Sequence, residues 1–499
     1  MIAEFGRQVR AEWTKLRTVP GWVFALLVAA VAVIGLGLAP GMSGSCGTRG
    51  PGSECKPPIG PGGEMVSDGL YLVAQPLAGD GSITVRVATL TGAIAGEHGK
   101  RPGLVPWAKA GLIMKASTTP GSAYAAVMLT GSHGVRMQSD FTGDIAGPSD
   151  SPPRWLRLTR NGDRVTGASS ADGTTWITIG TVRVAGLPST AQAGLFVASP
   201  DYTATAGGPF GLSGVESGPA QATATFDHLA RQGQWTASEW TGTRIGGPGN
   251  GGPFEHQDYQ RSGDTFTVSG SGDIAPLVTG AAGLGVSITQ TLVGTFLGLV
   301  AIVVVGALFV TGEYRRGLIR TTIAARPRRG LVLAAKATVV GAVSFVVGVV
   351  ASAVVLAFGV GVLRSHGVYV LPAGTGIELR LVVGTGLLLA LSAILALAVG
   401  AILRRSSAAV AGVIVLVTLP YLLAVSVLPL GAAQWVLRFS PAAAFAIQQS
   451  ATQWAQVDNV YAPAEGYFPL PPAAGLGVLV AWTAGALALA TVLLRRRDA

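Results

Sequence analysis

Six apolar runs constrain the fold of this chain more than any other feature of its sequence. Each run is long enough to cross a bilayer, because about 20 apolar residues in a helix span the hydrocarbon core. The composition agrees, since 49% of the 499 residues are hydrophobic and only 12% are charged. The runs are residues 22–39, 291–311, 337–362, 381–403, 407–430 and 473–494. We therefore predict an α-helical membrane bundle of about six transmembrane helices.

The basic residues beside these runs predict their orientation. Short cytoplasmic connections carry an excess of Lys and Arg. Fifteen basic residues flank the runs on one side, and only Arg364, Arg380 and Arg438 flank them on the other. We therefore expect a multi-pass plasma-membrane protein with both termini in the cytoplasm and residues 40–283 outside the cell. These flanks also explain the net charge of +10, so no nucleic-acid partner is expected.

Two alternatives stay open near the N-terminus. The run 22–39 follows basic residues, as the apolar part of a cleaved signal peptide does, but Leu38-Ala39-Pro40 is a poor cleavage site. A spanning, uncleaved helix is favoured. Cys46 and Cys55 follow this run, and a disulfide between them is plausible outside the cytoplasm. Two free thiols are the other possibility.

The segment between the first two runs has the pattern of a β-sandwich. Glycine and proline are frequent in it, and short alternating stretches are separated by turn residues. Asn161-Gly162 and Asp172-Gly173 lie where β-hairpins would turn. We predict an all-β sandwich over about residues 65–230, loops at 206–218 and 246–252, and a glycine-rich tether to residue 283. The clearest strand-like stretches are 109–117, 123–131, 154–160, 164–170, 175–180 and 193–199.

The stretch TGEYRRGLIRTTIAARPRRGLVLAAKA (311–337) lies between the second and third runs and contains six arginines. A plain basic loop would explain the arginines but not the amphipathic IRTTIAA core. The stretch resembles the permease subunits of type-2 ABC exporters, especially actinobacterial ones. AEWTKLRTVPGW (11–22) resembles the entry segment of that family, and WVLRFSPAAAFAIQQS (435–450) resembles the short re-entrant or interfacial segment before its last span.

This resemblance implies a transmembrane subunit that exports an unidentified substrate as a homodimer or heterodimer within membrane lipid. A separate cytoplasmic ATPase would use ATP, and the coupling loop 311–336 would form a short helix that docks on it. The domains would be 1–39, the insert 40–283 and the permease core 284–499. For Glu313, a plain role at a helix end is an equal alternative. The ATPase-coupling candidates are Glu313, Tyr314, Arg315, Arg316 and Arg320.

Within the insert, PWAKAGLIMK (106–115), RWLRLTRNGDRVTGASSADGTTWITIG (154–180) and AGLFVAS (193–199) resemble concanavalin-like lectin/glucanase sandwiches with a jelly-roll fold. The resemblance implies binding of a glycan or of a protein partner. Trp107, Trp155 and Trp176 are the corresponding glycan-binding candidates, although such tryptophans more often belong to the sandwich core.

Several motifs of catalysis do not occur in the sequence. It has no G-x-x-x-x-G-K-[ST] phosphate loop, no G-x-S-x-G or H-E-x-x-H motif, and no close carboxylate pair suited to glycoside hydrolysis. We therefore expect no enzymatic activity and no bound cofactor or metal in this chain. We also expect spans without polar residues at mid-depth, and a kink at Pro420. The alternative function is a membrane-anchored glycan-binding surface protein or sensor that transports nothing; a membrane-bound hydrolase is the weakest hypothesis.

Overall fold

The computed structural model contains a helical bundle and a β-sandwich that is inserted after the first apolar helix. It describes residues 2–38, 57–96, 99–149, 151–207, 213–237, 239–246, 254, 257–279, 286–315, 329–366, 370–457 and 459–496.

Six apolar spans form the bundle. The helices are α1 (Ile2–Thr18), α2 (Pro20–Leu38), α3 (Ile288–Thr291), α4 (Thr295–Arg315), α5 (Arg329–Val354), α6 (Val360–Ser365), α7 (Thr375–Leu403), α8 (Ser406–Val413), α9 (Leu419–Ser426), α10 (Leu430–Phe439) and α11 (Pro472–Arg496). Helices α5 and α6 form one span, as do α8 and α9; with α2, α4, α7 and α11 the described residues contain six helices that are long and apolar enough to cross a membrane. The predicted helical membrane bundle is confirmed.

The helices extend beyond several of the predicted runs. Helix α5 begins at Arg329, eight residues before the predicted start, and α7 begins at Thr375, so Arg380 is helical rather than in a connection. Helix α4 continues to Arg315, which shortens the predicted coupling loop at both ends. The backbone hydrogen bonds of a helix can continue into its polar flanking residues, whereas an apolar run indicates only the part of the helix that lies in the hydrocarbon core. Residues 316–328 lie outside the described part of the chain.

Two spans are interrupted by π-helical turns. Residues Ile414–Thr418 form one such turn directly before Pro420, which lies in the first turn of α9. Proline has no N–H group to donate, so the predicted irregularity occurs where a regular helix cannot continue. A second turn, Val355–Gly359, joins α5 to α6 without a proline.

Small residues bring the central helices into close contact. A Cβ atom on Gly306 of α4 would lie 2.4 Å from the carbonyl oxygen of Ala393 in α7. A Cβ atom on Gly348 of α5 would lie 2.8 Å from Cα of Gly386, also in α7. Such small-residue contacts are typical of helix packing in membranes. Helix α7 is therefore the central helix against which α4 and α5 pack.

Our expectation of spans without polar residues at mid-depth is wrong. Ser344, Ser352, Thr385 and Ser392 are fully buried in α5 and α7. The hydroxyl of Ser352 donates to the carbonyl oxygen of Gly348 at 2.7 Å, within the same helix. Thr385 accepts a hydrogen bond from Gln448, whereas the hydroxyls of Ser344 and Ser392 have no partner among the described residues. Ser and Thr that bond to a backbone carbonyl of their own helix enter apolar spans at small cost.

The inserted domain is a sandwich of two antiparallel sheets, as predicted. Its strands are β1 (Val66–Asp68), β2 (Leu70–Gly96), β3 (Gly99–Pro102), β4 (Lys109–Lys115), β5 (Tyr124–Thr130), β6 (Val135–Ser139), β7 (Gly143–Ala146), β8 (Arg154–Asn161), β9 (Arg164–Ser170), β10 (Ile177–Arg183), β11 (Thr190–Ala198), β12 (Tyr202–Gly207), β13 (Ser213–Gly218), β14 (Ala220–Trp235), β15 (Thr241–Ile245), β16 (Tyr259–Ser262), β17 (Thr265–Gly270) and β18 (Ile274–Pro276).

Strand β2 belongs to both sheets. Its first part pairs with β15 and β11, and the first sheet continues through β4, β5, β6 and β7. Its second part pairs with β8 and β14, and the second sheet runs from β10 to β16. The change of sheet occurs near Gly79, whose φ of +67° suits glycine.

The turns at Asn161-Gly162 and Asp172-Gly173 connect paired strands, which confirms both predicted hairpins. The sandwich extends past residue 230, because β15 and β17 pair with β2 and β14. The predicted loop 206–218 is also wrong in part, since β12 pairs with β13 across it. A high glycine content weakens a strand but does not prevent backbone pairing.

The chain enters and leaves the sandwich through one two-stranded ribbon, β1 paired with β18. This ribbon lies on the outer face of the first sheet, where Leu72, Ile113 and Phe196 form a second core with it. Two buried ion pairs fasten it: Lys115 Nζ lies 2.7 Å from Asp68 Oδ2, and Lys109 Nζ lies 2.5 Å from Asp273 Oδ1. The two connections to the membrane therefore leave the sandwich side by side.

Candidate functional site

A cluster of four charged residues lies where α1 packs on the bundle. Helix α1 buries Gln8, Glu12 and Leu16, which are four residues apart and therefore share one face. This face contacts α5, and the cluster lies beside the ends of α4 and α5 that border residues 316–328. We call this end of the bundle the loop end, and the end next to the sandwich the sandwich end.

The four charges alternate in sign. Lys336 Nζ of α5 lies 2.7 Å from both Glu12 Oε2 of α1 and Glu313 Oε1 of α4. Lys15 Nζ lies 2.9 Å from the Oε1 atoms of both glutamates. We call Glu12, Lys15, Glu313 and Lys336 the ion cluster. It joins α1 to two helices, α4 and α5, that are far from it in the sequence.

Burial makes the ion cluster sensitive to the loss of any member. The side chains of Glu12 and Lys336 are each 1% exposed, whereas that of Lys15 is 41% exposed. Burial alone would lower the pKa of Lys15, but its hydrogen bonds to Glu313 and Glu12 outweigh this effect and raise the pKa. Removing one partner of a buried ion pair costs about 3–5 kcal/mol, because the other charge stays buried without compensation.

Further contacts connect the loop end to the remaining spans. The guanidinium of Arg404, after α7, lies 5.3 Å from the ring centroid of Tyr314. Arg329 Nη1 donates to the carbonyl oxygen of Leu494 in α11 at 2.7 Å. The start of α5 and the end of α4 are thus linked to α7 and α11 as well as to α1.

The structure places the predicted coupling residues in two groups. Glu313, Tyr314 and Arg315 form the last turn of α4, and Glu313 points into the ion cluster. Arg316 and Arg320 lie outside the described residues, as do Cys46 and Cys55. Glu12, Lys15 and Lys336 were not among the predicted site residues. Two features could have indicated them: Glu12 is a charged residue on the buried face of α1, and Lys336 is a lysine within the apolar helix α5.

The sandwich is docked on the bundle through the connection before α11. Gln456 Nε2 donates to the carbonyl oxygen of Thr142 in the sandwich at 3.3 Å. Val457 packs against Ala275 of β18 and against Val278, which follows this strand out of the sandwich. Asn459 Nδ2 donates to the carbonyl oxygen of Thr279 at 2.9 Å. Residues 274–279, which we predicted to be a glycine-rich tether, are therefore fixed to residues 456–459.

A polar junction continues from this docking surface into the bundle. All residues of the 3-10 helix Pro441–Gln448 are buried, and this helix lies within the segment 435–450 that resembles the re-entrant or interfacial segment of the family. Gln448 Nε2 donates to Thr295 Oγ1 of α4 at 3.0 Å and to Thr385 Oγ1 of α7 at 2.9 Å. Thr289 of α3 donates to the carbonyl oxygen of Gln448 at 2.7 Å. The sandwich end is thus joined by hydrogen bonds across four elements.

The three candidate tryptophans are involved in packing within the sandwich. Trp107 is 4% exposed and stacks on His133 with 4.1 Å between ring centroids. Trp155 is half-buried between Gly173 and His228. Trp176 lies beneath the guanidinium of Arg157, 3.8 Å from its ring centroid. For Trp107, burial leaves no open ring face, so the core alternative applies to this residue.

Comparison with known protein families matches residues 183–499 to ABC-2 family transporter proteins. The match includes every span except α2 and covers more than half of the chain. The chain belongs to this family. The ABC-2 transporter match begins at the end of β10, so it also includes the later strands of the sandwich. Among curated proteins, the comparison found no match.

Three solved structures are similar to parts of this ABC-2 family member. A functionally unknown protein from Saccharomyces cerevisiae is 13% identical, with 33% of this chain and 75% of that chain covered and a TM-score of 0.22. A mutant of the GH43 protein BlXynB from Bacillus licheniformis is 16% identical, with 31% of this chain and 28% of that chain covered and a TM-score of 0.20. The Eqolisin-family peptidase SCP-B, in complex with a tripeptide, is 11% identical, with 40% of this chain and 98% of that chain covered and a TM-score of 0.23. These values support no conclusion about function.

Proposed function

We propose that this ABC-2 family protein is the transmembrane subunit of an exporter that is driven by a separate cytoplasmic ATPase. Membership of the family supports a membrane subunit without catalytic activity of its own. The loop end would face the cytoplasm, and the sandwich would lie outside the cell, as the basic flanks of the spans indicate. The observation that carries the coupling proposal is the ion cluster, because it joins α1 to both helices that border residues 316–328.

The ion cluster provides a route for movement from the ATPase to the spans. A displacement of residues 316–328 would act on Arg315 at the end of α4 and on Arg329 at the start of α5. Glu313 and Lys336 lie near these two ends, form ion pairs with Lys15 and Glu12 of α1, respectively, and pair with each other. The three helices would therefore shift together, and a helix bundle with two stable packings would open alternately to its two sides.

The coupling proposal is tested by charge reversal at Arg315 and Arg316 in the full chain. We expect Arg315→Glu with Arg316→Glu to abolish co-purification of the ATPase in mild detergent, because a basic docking surface would become acidic. The matched control is Arg164→Glu with Arg183→Glu, two arginines of the sandwich. Unchanged ATPase recovery with the first pair would remove the coupling assignment. Equal loss with the control pair would show that the effect is not specific to this loop.

The outer faces of the spans suit lipid or a second permease subunit, identical or similar. Phe24, Leu27 and Val31 on α2 are 69%, 60% and 67% exposed and lie on one helix face. ABC exporters of the type that the sequence resembles use two such subunits. The mass of the purified complex in nanodiscs tests this part of the proposal: we expect two permease chains per complex, and a single chain bound to ATPase would contradict it.

A second candidate function is glycan binding by the sandwich. It is favoured by one observation, the stacked pair Arg157 and Trp176 on the second sheet. Leu156 and Leu158 of β8 are buried between the sheets, so Arg157 points to the outer face. Binding of glycans to the full chain, with Trp176→Ala as the variant, tests this function. Binding that Trp176→Ala does not weaken would exclude this face as the site.

A further inference from the structure

A small cavity lies at the sandwich end of the bundle, beside the polar junction. Its volume is about 140 Å³, which is room for roughly ten non-hydrogen atoms. It lies between α3, the 3-10 helix Pro441–Gln448, the start of α9 and residues 463–468. The cavity therefore touches both the spans and the connection on which the sandwich is docked.

Two polar groups in the cavity wall have no hydrogen-bond partner among the described residues. Gln448 is only 4% exposed, and both hydrogens of its Nε2 are donated to Thr295 and Thr385. Its carboxamide oxygen is thereby fixed as an acceptor without a donor. Tyr421 stacks on Phe445 with 4.1 Å between ring centroids, which fixes the ring but leaves the hydroxyl unpaired. A single ligand that pairs with both groups would gain affinity from these hydrogen bonds.

The rest of the wall determines the chemical class of the ligand. The described residues that line the cavity include Leu292, Val293 and Phe468, and none of them carries a charged side chain. An ionised group would lose its hydration without gaining a counter-charge there. A group that both donates to Gln448 and accepts from Tyr421 meets the requirement, and a hydroxyl does both.

We infer that this cavity binds the uncharged, hydroxyl-bearing end of a lipid, with the hydroxyl between Gln448 and Tyr421. Val293 lines the cavity and is 48% exposed. This exposed apolar side chain can contact an acyl chain, which favours a lipid over a soluble polyol. Because the cavity contacts the docking connection and the start of α9, a bound lipid would stabilise one arrangement of the sandwich on the bundle. This inference does not depend on the proposed transport function.

The test is binding of dioctanoylglycerol to the purified full chain, measured by native mass spectrometry in detergent. We expect Tyr421→Phe to weaken binding about three- to tenfold, which corresponds to one neutral hydrogen bond. Methylation of the glycerol hydroxyl should weaken binding of the probe to a similar extent. Ala464→Trp should block binding, because Ala464 is an exposed residue of the cavity wall.

Controls separate binding in the cavity from non-specific association with detergent and from loss of fold. Ala432→Trp places the same side chain at an exposed position of α10, away from the cavity lining, and should leave binding unchanged. Equal binding by the original chain and Ala464→Trp would overturn the inference. Competition by an equal concentration of free glycerol would overturn the assignment to a lipid. Neither result involves ATPase recruitment, so a failure here is distinguishable from a failure of the transport proposal.

Discussion

The Nζ atom of Lys336 lies 2.7 Å from Oε2 of Glu12, although the two residues are 324 positions apart in the chain. This contact fixes the N-terminal helix α1 to α5 just after the basic segment that leads into it. The ammonium also lies 4.9 Å from the ring centroid of Phe309 in α4. One lysine thus holds three helices together at the loop end.

Lys336→Met should destabilise the bundle by about 3–5 kcal/mol, because the buried carboxylates of Glu12 and Glu313 would lose their buried shared partner and keep only the more exposed Lys15. Thermal unfolding of the purified full chain, followed by circular dichroism of the helices, measures the effect. The double variant Glu12→Gln with Lys336→Met should recover about 1–3 kcal/mol, since one unpaired charge is then removed. Lys100→Met removes an exposed lysine of β3 whose ammonium lies 4.8 Å from the ring centroid of Phe254, and should change stability by less than about 1 kcal/mol. If Lys336→Met and Lys100→Met were equally stable, the ion cluster would have no structural role.

Val457→Asp should detach the sandwich from the bundle while both remain folded. Val457 is 9% exposed and packs on Ala275 and Val278, so a carboxylate there would be desolvated without a partner. Spin labels at Ser132 of the sandwich and Ala432 of α10, in a chain whose two cysteines are replaced by serine, report the distance by electron paramagnetic resonance. We expect a broader distance distribution in Val457→Asp. The control Val480→Asn changes an exposed residue of α11, and a broadening of equal size there would argue against specific docking.

The proposed orientation predicts which residues can be labelled from outside the cell. Ser132→Cys lies at an exposed turn of the sandwich, and Ser407→Cys lies at an exposed position at the start of α8. A membrane-impermeant maleimide should label Ser132→Cys in intact cells, and Ser407→Cys only after lysis. Both variants are made with Cys46 and Cys55 replaced by serine. The opposite pattern would reverse the topology and exclude a cytoplasmic ATPase at residues 316–328.

The sandwich should lose stability in acid partly through Asp227. Two hydrogen bonds from Arg86 lower the pKa of Asp227 below its usual value of 3.8. The Asp227 carboxylate therefore binds a proton less readily in the folded state than in the unfolded state. The stabilisation of the folded state by the Arg86–Asp227 pair is present above pH 3.8 and is lost as the pH falls through the pKa of the folded state. Between about pH 6 and about pH 3, the free energy of unfolding should fall by about 1 kcal/mol less in Asp227→Asn than in the original chain. Thermal unfolding at both pH values measures this difference. Asp264→Asn, at an exposed position of the same domain, should behave like the original chain.

Patterns within single segments predicted much of the architecture. Apolar length indicated six spans, because crossing hydrocarbon requires about 20 consecutive apolar residues whatever they pack against. Alternation and Asn-Gly or Asp-Gly turns predicted the hairpins β8–β9 and β9–β10, since such turns determine which neighbouring strands pair. Pro420 predicted the irregularity of the fifth span. Strand β2 was missed because its 27 residues serve two sheets, and β15 to β17 were missed because their partners are distant in the sequence.

The sequence alone therefore determined the two kinds of domain, the number of spans and the family resemblance, because each depends on local composition or motif order. The tertiary structure decided which residues form sites. Glu12 and Lys336 appear in the sequence as ordinary flanking charges, and Gln448 and Tyr421 as isolated polar residues. Only packing brings α1 to α5 and the 3-10 helix to α9, because contacts between distant segments depend on the shapes of whole helices and sheets rather than on the pattern within any one of them.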